Sequence, residues 1–171
     1  MAADNLLRSW AIWVDGVGKA GNAKEYSPPA LTIITDDFQA GDMDTSIPVD
    51  VGMEPMEASF VLFGVDPAVL SLLGLQGGAR KSISVRSTYT DLNNNAWDLV
   101  EELRGLIVSV ERDSLGTSDR RQNGMTVTIK PEYYKVRRGE SVLVEIDPVN
   151  GVRNMGGNDV LADVRKLMQI V

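Results

Sequence analysis

Three groups of residues have the types and spacing that chemistry would need. Gly16-Val17-Gly18-Lys19-Ala20-Gly21 fits the dinucleotide pattern G-x-G-x-x-G. Asp91, Asn93, Asn95 and Glu102 are spaced like the first, third, fifth and twelfth positions of a calcium loop. Glu54/Glu57 and Glu101/Glu102 are carboxylate pairs of the kind used in glycoside hydrolysis. Each fails in its context. A pyrophosphate site needs a helix that starts inside the glycines, so that its free amides face the anion. Here Pro28-Pro29 follow Gly21 with no helical apolar stripe between, so the glycines predict a hairpin turn; Lys19 is followed by Ala20, not the Ser or Thr of a phosphate loop. In the calcium-like stretch the turn glycine is replaced by Ala96. Its flanks are strand-like, and a strand would carry Glu102 away from the turn at about 3.3 Å per residue, so a polar hairpin tip is expected. Glu101 and Glu102 are adjacent on a strand and point to opposite faces. Met43, Met53 and Met56 predict a packing or interface cluster rather than a thioether metal site.

The chain has no His and no Cys. Ser/His/Asp and Cys/His nucleophiles, the usual zinc ligand sets, thiol redox and disulfides are thereby excluded together, and no enzyme activity or cofactor is expected. The 24 Asp+Glu against 17 Lys+Arg give a formal charge of −7, which disfavours a nucleic-acid ligand, because that affinity comes from Lys and Arg releasing condensed counterions. No apolar run approaches the roughly 18 residues that span a bilayer, so no membrane insertion is expected.

The elements that must carry these residues are mostly strands. A length of 171 residues with 43% apolar content suits one domain with a real core, assigned to 1–171. Period-two alternation marks Trp10–Val14, Ala30–Gln39 (with both faces partly covered), Met56–Phe63, Lys81–Tyr89, Trp97–Glu111, Met125–Tyr134 and Val142–Asp147. Between them, 40–54 is rich in Gly, Asp and Met and reads as a long loop or hairpin arm. Asp66-Pro67 opens a short helix through Leu73, stopped by Gly74. Ser114–Gly124 reads as a polar loop. Leu161, Val164, Leu167, Met168 and Val171 recur at helical spacing and predict a terminal amphipathic helix capped by Asn158 or Asp159. About seven strands and two short helices without βαβ alternation argue for an antiparallel β-sandwich or barrel.

Several blocks then invite comparison with a family: Trp13-Val14-Asp15-Gly16-Val17, Ala20-Gly21, Ala40-Gly41-Asp42-Met43-Asp44, and Asp50-Val51-Gly52-Met53-Glu54-Pro55-Met56-Glu57 with Phe60. Further on come Tyr133-Tyr134-Lys135, Glu145-Ile146-Asp147-Pro148-Val149-Asn150-Gly151-Val152-Arg153, and Asp159-x-Leu161-Ala162-x-x-Arg165. In this order and spacing the chain resembles the major tail tube protein of contractile-tailed bacteriophages, including the tube subunit of R-type contractile bacteriocins. It departs at Asp42, where the family usually has a second Gly, and at Gly157-Asn158, where Asn-Gly is commoner.

The resemblance implies a virion subunit, assembled in the host cytoplasm, that forms homo-hexameric rings stacking into a hollow tube inside a contractile sheath. An inner β-barrel would form on hexamerisation. Sheath, baseplate or initiator, tail terminator and tape-measure proteins would be its partners, and DNA its passing cargo. On this reading Ala40, Gly41, Asp42, Met43, Asp44, Asp50, Gly52, Met53, Glu54 and Met56 form an inter-subunit arm, and Glu101 and Glu111 are expected to face the lumen and repel DNA phosphates. Alternatives are the tube of a DNA-free bacteriocin or secretion-like device, an adaptor or tail-completion protein of the same particle, and a carbohydrate-binding β-sandwich using Trp10, Trp13 and Trp97 as a platform.

Overall fold

The computed structural model describes residues 4–72, 78, 80–116 and 120–169, and every strand pairing among them is antiparallel. The elements are β1 Leu6–Val14, β2 Val17–Gly18, β3 Ala23–Ser27, β4 Ile33–Phe38, β5 Ile47–Met53, β6 Ala58–Phe63, α1 Pro67–Leu70, β7 Lys81–Thr90, β8 Ala96–Arg112, β9 Gly124–Arg138, β10 Ser141–Asp147, β11 Val152–Met155, β12 Asn158–Asp159 and α2 Ala162–Leu167. All seven expected strands are present. The sequence does not predict β2, β3, β11 and β12, which are short or follow turns and so show no alternation, and β5 falls in the 40–54 segment that reads as a loop or hairpin arm.

One sheet holds ten strands. Its main path runs β12-β11-β10-β9-β8-β7-β1-β2, and β6 with β3 branches from β9. The branch exists because β9 changes partner along its length: Gly124–Ile129 pairs with β6, and Tyr134–Arg138 pairs with β10. Pro131 sits in the gap between them, where its missing N–H costs no ladder bond on that edge. Opposite it on β8 is Gly105. A Cβ at Gly105 would lie 2.1 Å from the Lys130 carbonyl oxygen and 2.6 Å from the Pro131 Cα, so only glycine allows this approach of the two backbones. Register shifts at Arg104/Gly105 and Ile107/Ser109 mark β-bulges, which bend a strand and increase its twist.

The bend folds the sheet over one core. Ile12 and Val14 of β1, Ile83 and Val85 of β7 and Leu103 of β8 come from one half. Ala58, Phe60 and Leu62 of β6, with Met125, Val127 and Ile129 of β9, come from the other, and all belong to a single buried cluster. Alternation selects them: on β6, Ala58, Phe60 and Leu62 are buried while Ser59 and Val61 turn away. Each large side chain so buried contributes about 1.5–3 kcal/mol. The main path ends at β2 and β12 without closing, so the subunit is a folded-over open sheet and not a barrel by itself.

The two helices are shorter than their sequence patterns. Asp66 caps α1 as expected, accepting from the amides of Ala68 and Val69; Leu73 and Gly74 lie outside the described residues. In α2 neither Asn158 nor Asp159 is the N-cap. That position is Leu161, without a side-chain hydrogen bond, and Asp159 instead accepts from the Leu161 and Arg153 amides. No α2 residue is buried, and Leu167 is 85% exposed, so the apolar stripe read from the sequence does not pack on this subunit's core. Val171 lies outside the described residues.

The Gly105 contact carries a testable consequence. Gly105→Ala is expected to destabilise the subunit by about 2–3 kcal/mol, because the methyl meets backbone that cannot rotate aside. Urea unfolding would read this as a lower midpoint with the slope unchanged; a wild-type midpoint would show the approach to be dispensable.

Candidate functional site

The feature with no counterpart inside the subunit is the two-stranded β4–β5 hairpin. It forms its own sheet, pairing Ile33 with Met53 through to Phe38 with Ile47. The tip is closed by local bonds: the Met43 amide donates to the Ala40 carbonyl at 3.1 Å, and the Gln39 side-chain amide donates to the Met43 carbonyl at 3.0 Å. Every residue of β4 is exposed, so the two partly covered faces expected for this strand are absent from the subunit. Phe38 is 55% and Val51 58% exposed, and Ile33, Ile34, Ile47 and Val49 join them in solvent. Six large apolar side chains on a free two-stranded ribbon form a patch that an isolated soluble subunit would ordinarily cover.

The arm is therefore longer than the 40–54 read from sequence, since its first strand begins at Ile33. Ala40, Gly41, Asp42, Met43 and Asp44 make its tip, Asp50, Gly52 and Met53 lie on β5, and exposed Glu54 follows directly. Met56 is not on the arm. It is buried in the core beneath, with Leu31 and Met53 packed beside it at the arm's base. Met43 thus stands apart at the tip, whereas Met53 at the base packs against the core that holds Met56, so only two of the three come together.

Beside the base opens a groove of about 970 Å³, lined by Met53, Leu106, Pro131, Val149, Val160 and Leu161. Asp50 and Arg153 also line it, and their side chains form a forked ion pair, with Arg153 Nη1 3.3 Å from Asp50 Oδ1 and Nη2 on Oδ2. The chain of contacts continues. The Arg153 amide donates to Asp159 Oδ1 at 3.3 Å, Arg165 Nη2 donates to Asp159 Oδ2 at 2.5 Å, and Arg165 Nη1 donates to the Gly151 carbonyl at 2.7 Å. The guanidinium of Arg153 holds the Asp50 carboxyl below the usual carboxylate range, and that of Arg165 does the same for Asp159. Asp50, Arg153, Asp159 and Arg165 belong to three separate blocks of the sequence resemblance, and the fold brings them into one network.

The two expected lumen acids part company. Glu101 is 9% exposed and lies inside the folded sheet, so its expected lumen placement is corrected: neighbours on β8 alternate faces, and the core register of Leu103 is also that of Glu101. Its Oε2 accepts from Tyr26 at 2.9 Å and from Tyr134 at 2.8 Å. Tyr26 comes from β3 in one half of the sheet, and Glu101 and Tyr134 from the other, so the carboxylate pins the two halves across the interior. Burial, reinforced by the Glu101 charge, pushes both tyrosine hydroxyls above the ordinary phenol range. Glu111, near the end of β8, is exposed.

The other candidates resolve as structure. Asp15 and Gly16 take positive φ in the β1–β2 turn, and Lys19 pairs with Asp66 at 2.6 Å. Asp91 closes the β7–β8 tip by accepting from the Asn93 and Asn95 amides and from the Asn95 side chain, while Glu102 faces Arg137 on the neighbouring strand. Among the described residues no group of three or more acids is arranged to hold a metal. The tryptophans are dispersed: Trp97 stacks on Tyr89, Trp13 lies under Arg86 and Trp10 packs against the core, so the carbohydrate platform is not formed.

Charge is unevenly distributed along the sequence. No Lys or Arg stands between Lys24 and Arg80, and nine acids do: Glu25, Asp36, Asp37, Asp42, Asp44, Asp50, Glu54, Glu57 and Asp66. The other 15 acids are set against all 17 cations. The excess negative charge therefore belongs to the segment that contains the arm. On the main sheet Lys135 pairs with Glu145 and Arg137 with Glu102.

The Tyr–Glu–Tyr pin predicts a graded response. Glu101→Ala, which strands two buried hydroxyls, should cost about 2–4 kcal/mol, and Glu101→Gln, which keeps an acceptor, about half that. Equal midpoints for the two variants in urea would show that the carboxylate's hydrogen bonds do not matter.

Comparison with known proteins follows the same boundaries. Residues 4–168 match the family described as phage tail tube protein FII. The chain is 29% identical over 165 residues to the major tail tube protein of Serratia phage KSP20, covering 95% of this chain and 94% of that one. It is 24% identical over 173 residues to the tail tube protein of Escherichia phage P2, covering 97% and 98%. A chain in the cryo-EM structure of the anti-feeding prophage baseplate, six-fold symmetrised, shares the fold at a TM-score of 0.52 and 11% identity, over 80% of this chain and 95% of that chain. A match spanning the sheet, the arm and α2 together shows that this chain belongs to the phage tail tube protein FII family.

Proposed function

We propose that this chain is the building block of the inner tube of a contractile tail, in which hexameric rings stack into a hollow conduit for DNA within a sheath. The observation that carries the reading is the arm: a ribbon of exposed apolar and acidic residues, built at the cost of ordering about twenty residues, that has no surface to cover on its own subunit. A second copy supplies that surface. The sheet supports the same conclusion from its ends. β2 pairs only with Trp13 and Val14, leaving the outer edge of β1 open from Leu6, and β12 covers only Asn154 and Met155 of β11. An unpaired row of amides and carbonyls is a template for strand addition, and adding subunits edge to edge converts an open sheet into a closed inner barrel. The six-fold symmetrised assembly that holds the structural neighbour favours six as the ring number. Sheath, baseplate or initiator, terminator and tape-measure proteins are the partners such a tube would meet.

Function here is assembly and passage, with no bond made or broken. Glu111, which is exposed, is the acid we assign to the lumen wall. A carboxylate on the wall offers phosphates no counterion-releasing contact, so a polyanion would slide past it.

Two experiments test this. Replacing residues 39–46 with Asn-Gly should leave the urea midpoint within about 1 kcal/mol of wild type, since none of these residues belongs to or packs on the core, and should abolish tubes in electron micrographs. Tubes of normal length from that variant would overturn the arm's role. Glu111→Lys particles should eject DNA more slowly than wild type, and an unchanged release rate would remove Glu111 from the wall.

A further inference from the structure

We infer that Arg153 is the positioning residue of the arm: its fork onto Asp50 is a strut that fixes the pitch of the β4–β5 hairpin against the corner formed by β11, β12 and α2. Among the described residues, this is the one side-chain hydrogen bond or ion pair joining the arm to the body. The remaining attachment is apolar, with Leu31 and Met53 resting on the core, and such contacts allow rocking because they are not directional. A bidentate guanidinium–carboxylate fork fixes orientation as well as distance.

The strut is well founded at both ends. The Arg153 side chain is 11% exposed, and its backbone is held by β11 pairing to Ile146 and by its amide bond to Asp159. Asp50 Oδ1 also accepts from the Gly52 amide at 3.0 Å, next to the bulge between Ile34 and Thr35, so the carboxylate is aimed by its own strand. Through Asp159 the same network reaches Arg165, which ties α2 to the Gly151 carbonyl. The arm and α2 both present large apolar side chains to solvent, and the strut sets one relative to the other. A partner that grips both then meets them in a fixed relation. This consequence for assembly rests on the proposed function, whereas the strut itself is a property of the single subunit.

The absence of native cysteine makes the test direct. Thr45→Cys at the tip and Glu140→Cys on the body, both exposed, take spin labels for distance measurement by pulsed electron resonance on soluble subunits. Wild type should give one narrow distribution. Arg153→Gln and Asp50→Asn should each broaden it at least twofold with an unchanged unfolding midpoint, and the exchanged pair Asp50→Arg with Arg153→Asp should narrow it again. Asp50→Asn alters an exposed side chain, keeps the acceptor for Gly52, and decides the matter if Arg153→Gln does not fold. An unbroadened distribution in Asp50→Asn overturns the strut. Tubes from the tip-replacement variant would instead overturn the assembly reading and leave this measurement standing.

Discussion

The close passage of Gly105 over Lys130 and Pro131 is the constraint on which the rest of the subunit depends. Two long strands that stayed straight would make a flat ribbon with one half of its apolar residues facing water. Because β8 and β9 can approach at that point, and because Pro131 leaves a gap in which β9 changes neighbour, the ribbon bends and its two halves close on the same core. The same bend opens the groove at the arm's base, which Leu106 and Pro131 line from either side of it. The groove is thus a by-product of how the core is made.

Polar groups sit at the joints of this architecture. Glu101 with Tyr26 and Tyr134 spans the interior between the two halves, and Asp50 with Arg153 spans the root of the arm. In both places apolar contact alone would leave an angle undetermined, and hydrogen bonds with fixed directions determine it. The difference lies in environment. The first site is buried, so its bonds bear on stability; the second is at the surface, where an ion pair adds little to stability but still fixes geometry.

Charge gains a different meaning once it is located. A formal −7 averaged over the chain suggests an evenly acidic wall, but on the main sheet Lys135 pairs with Glu145 and Arg137 with Glu102, whereas the segment holding the arm has nine acids and no cation of its own. Among the described residues, only Asp50 and Asp66 of these nine are met by distant cations, Arg153 and Lys19. Acid on an apolar ribbon hydrates it, and like charge disfavours contact between two such ribbons.

The sequence by itself determined the class of the molecule: no His or Cys and hence none of their chemistry, antiparallel strands from alternation, a segment at 40–54 without a core to join, and family blocks in order along the chain. These are properties of residue types and near neighbours, and period two reports them directly. Tertiary structure decided the rest. It placed Glu101 inside and left Glu111 outside, though both are acids on one strand at an even spacing, because the register shift between Ile107 and Ser109 puts one extra residue into β8 and resets which face is which. It moved Met56 from the arm to the core, left the stripe of α2 in solvent, and joined Asp50 to Arg153 across 103 positions of chain. None of these could be read from spacing, because each depends on where a strand bends and which distant strand it then meets.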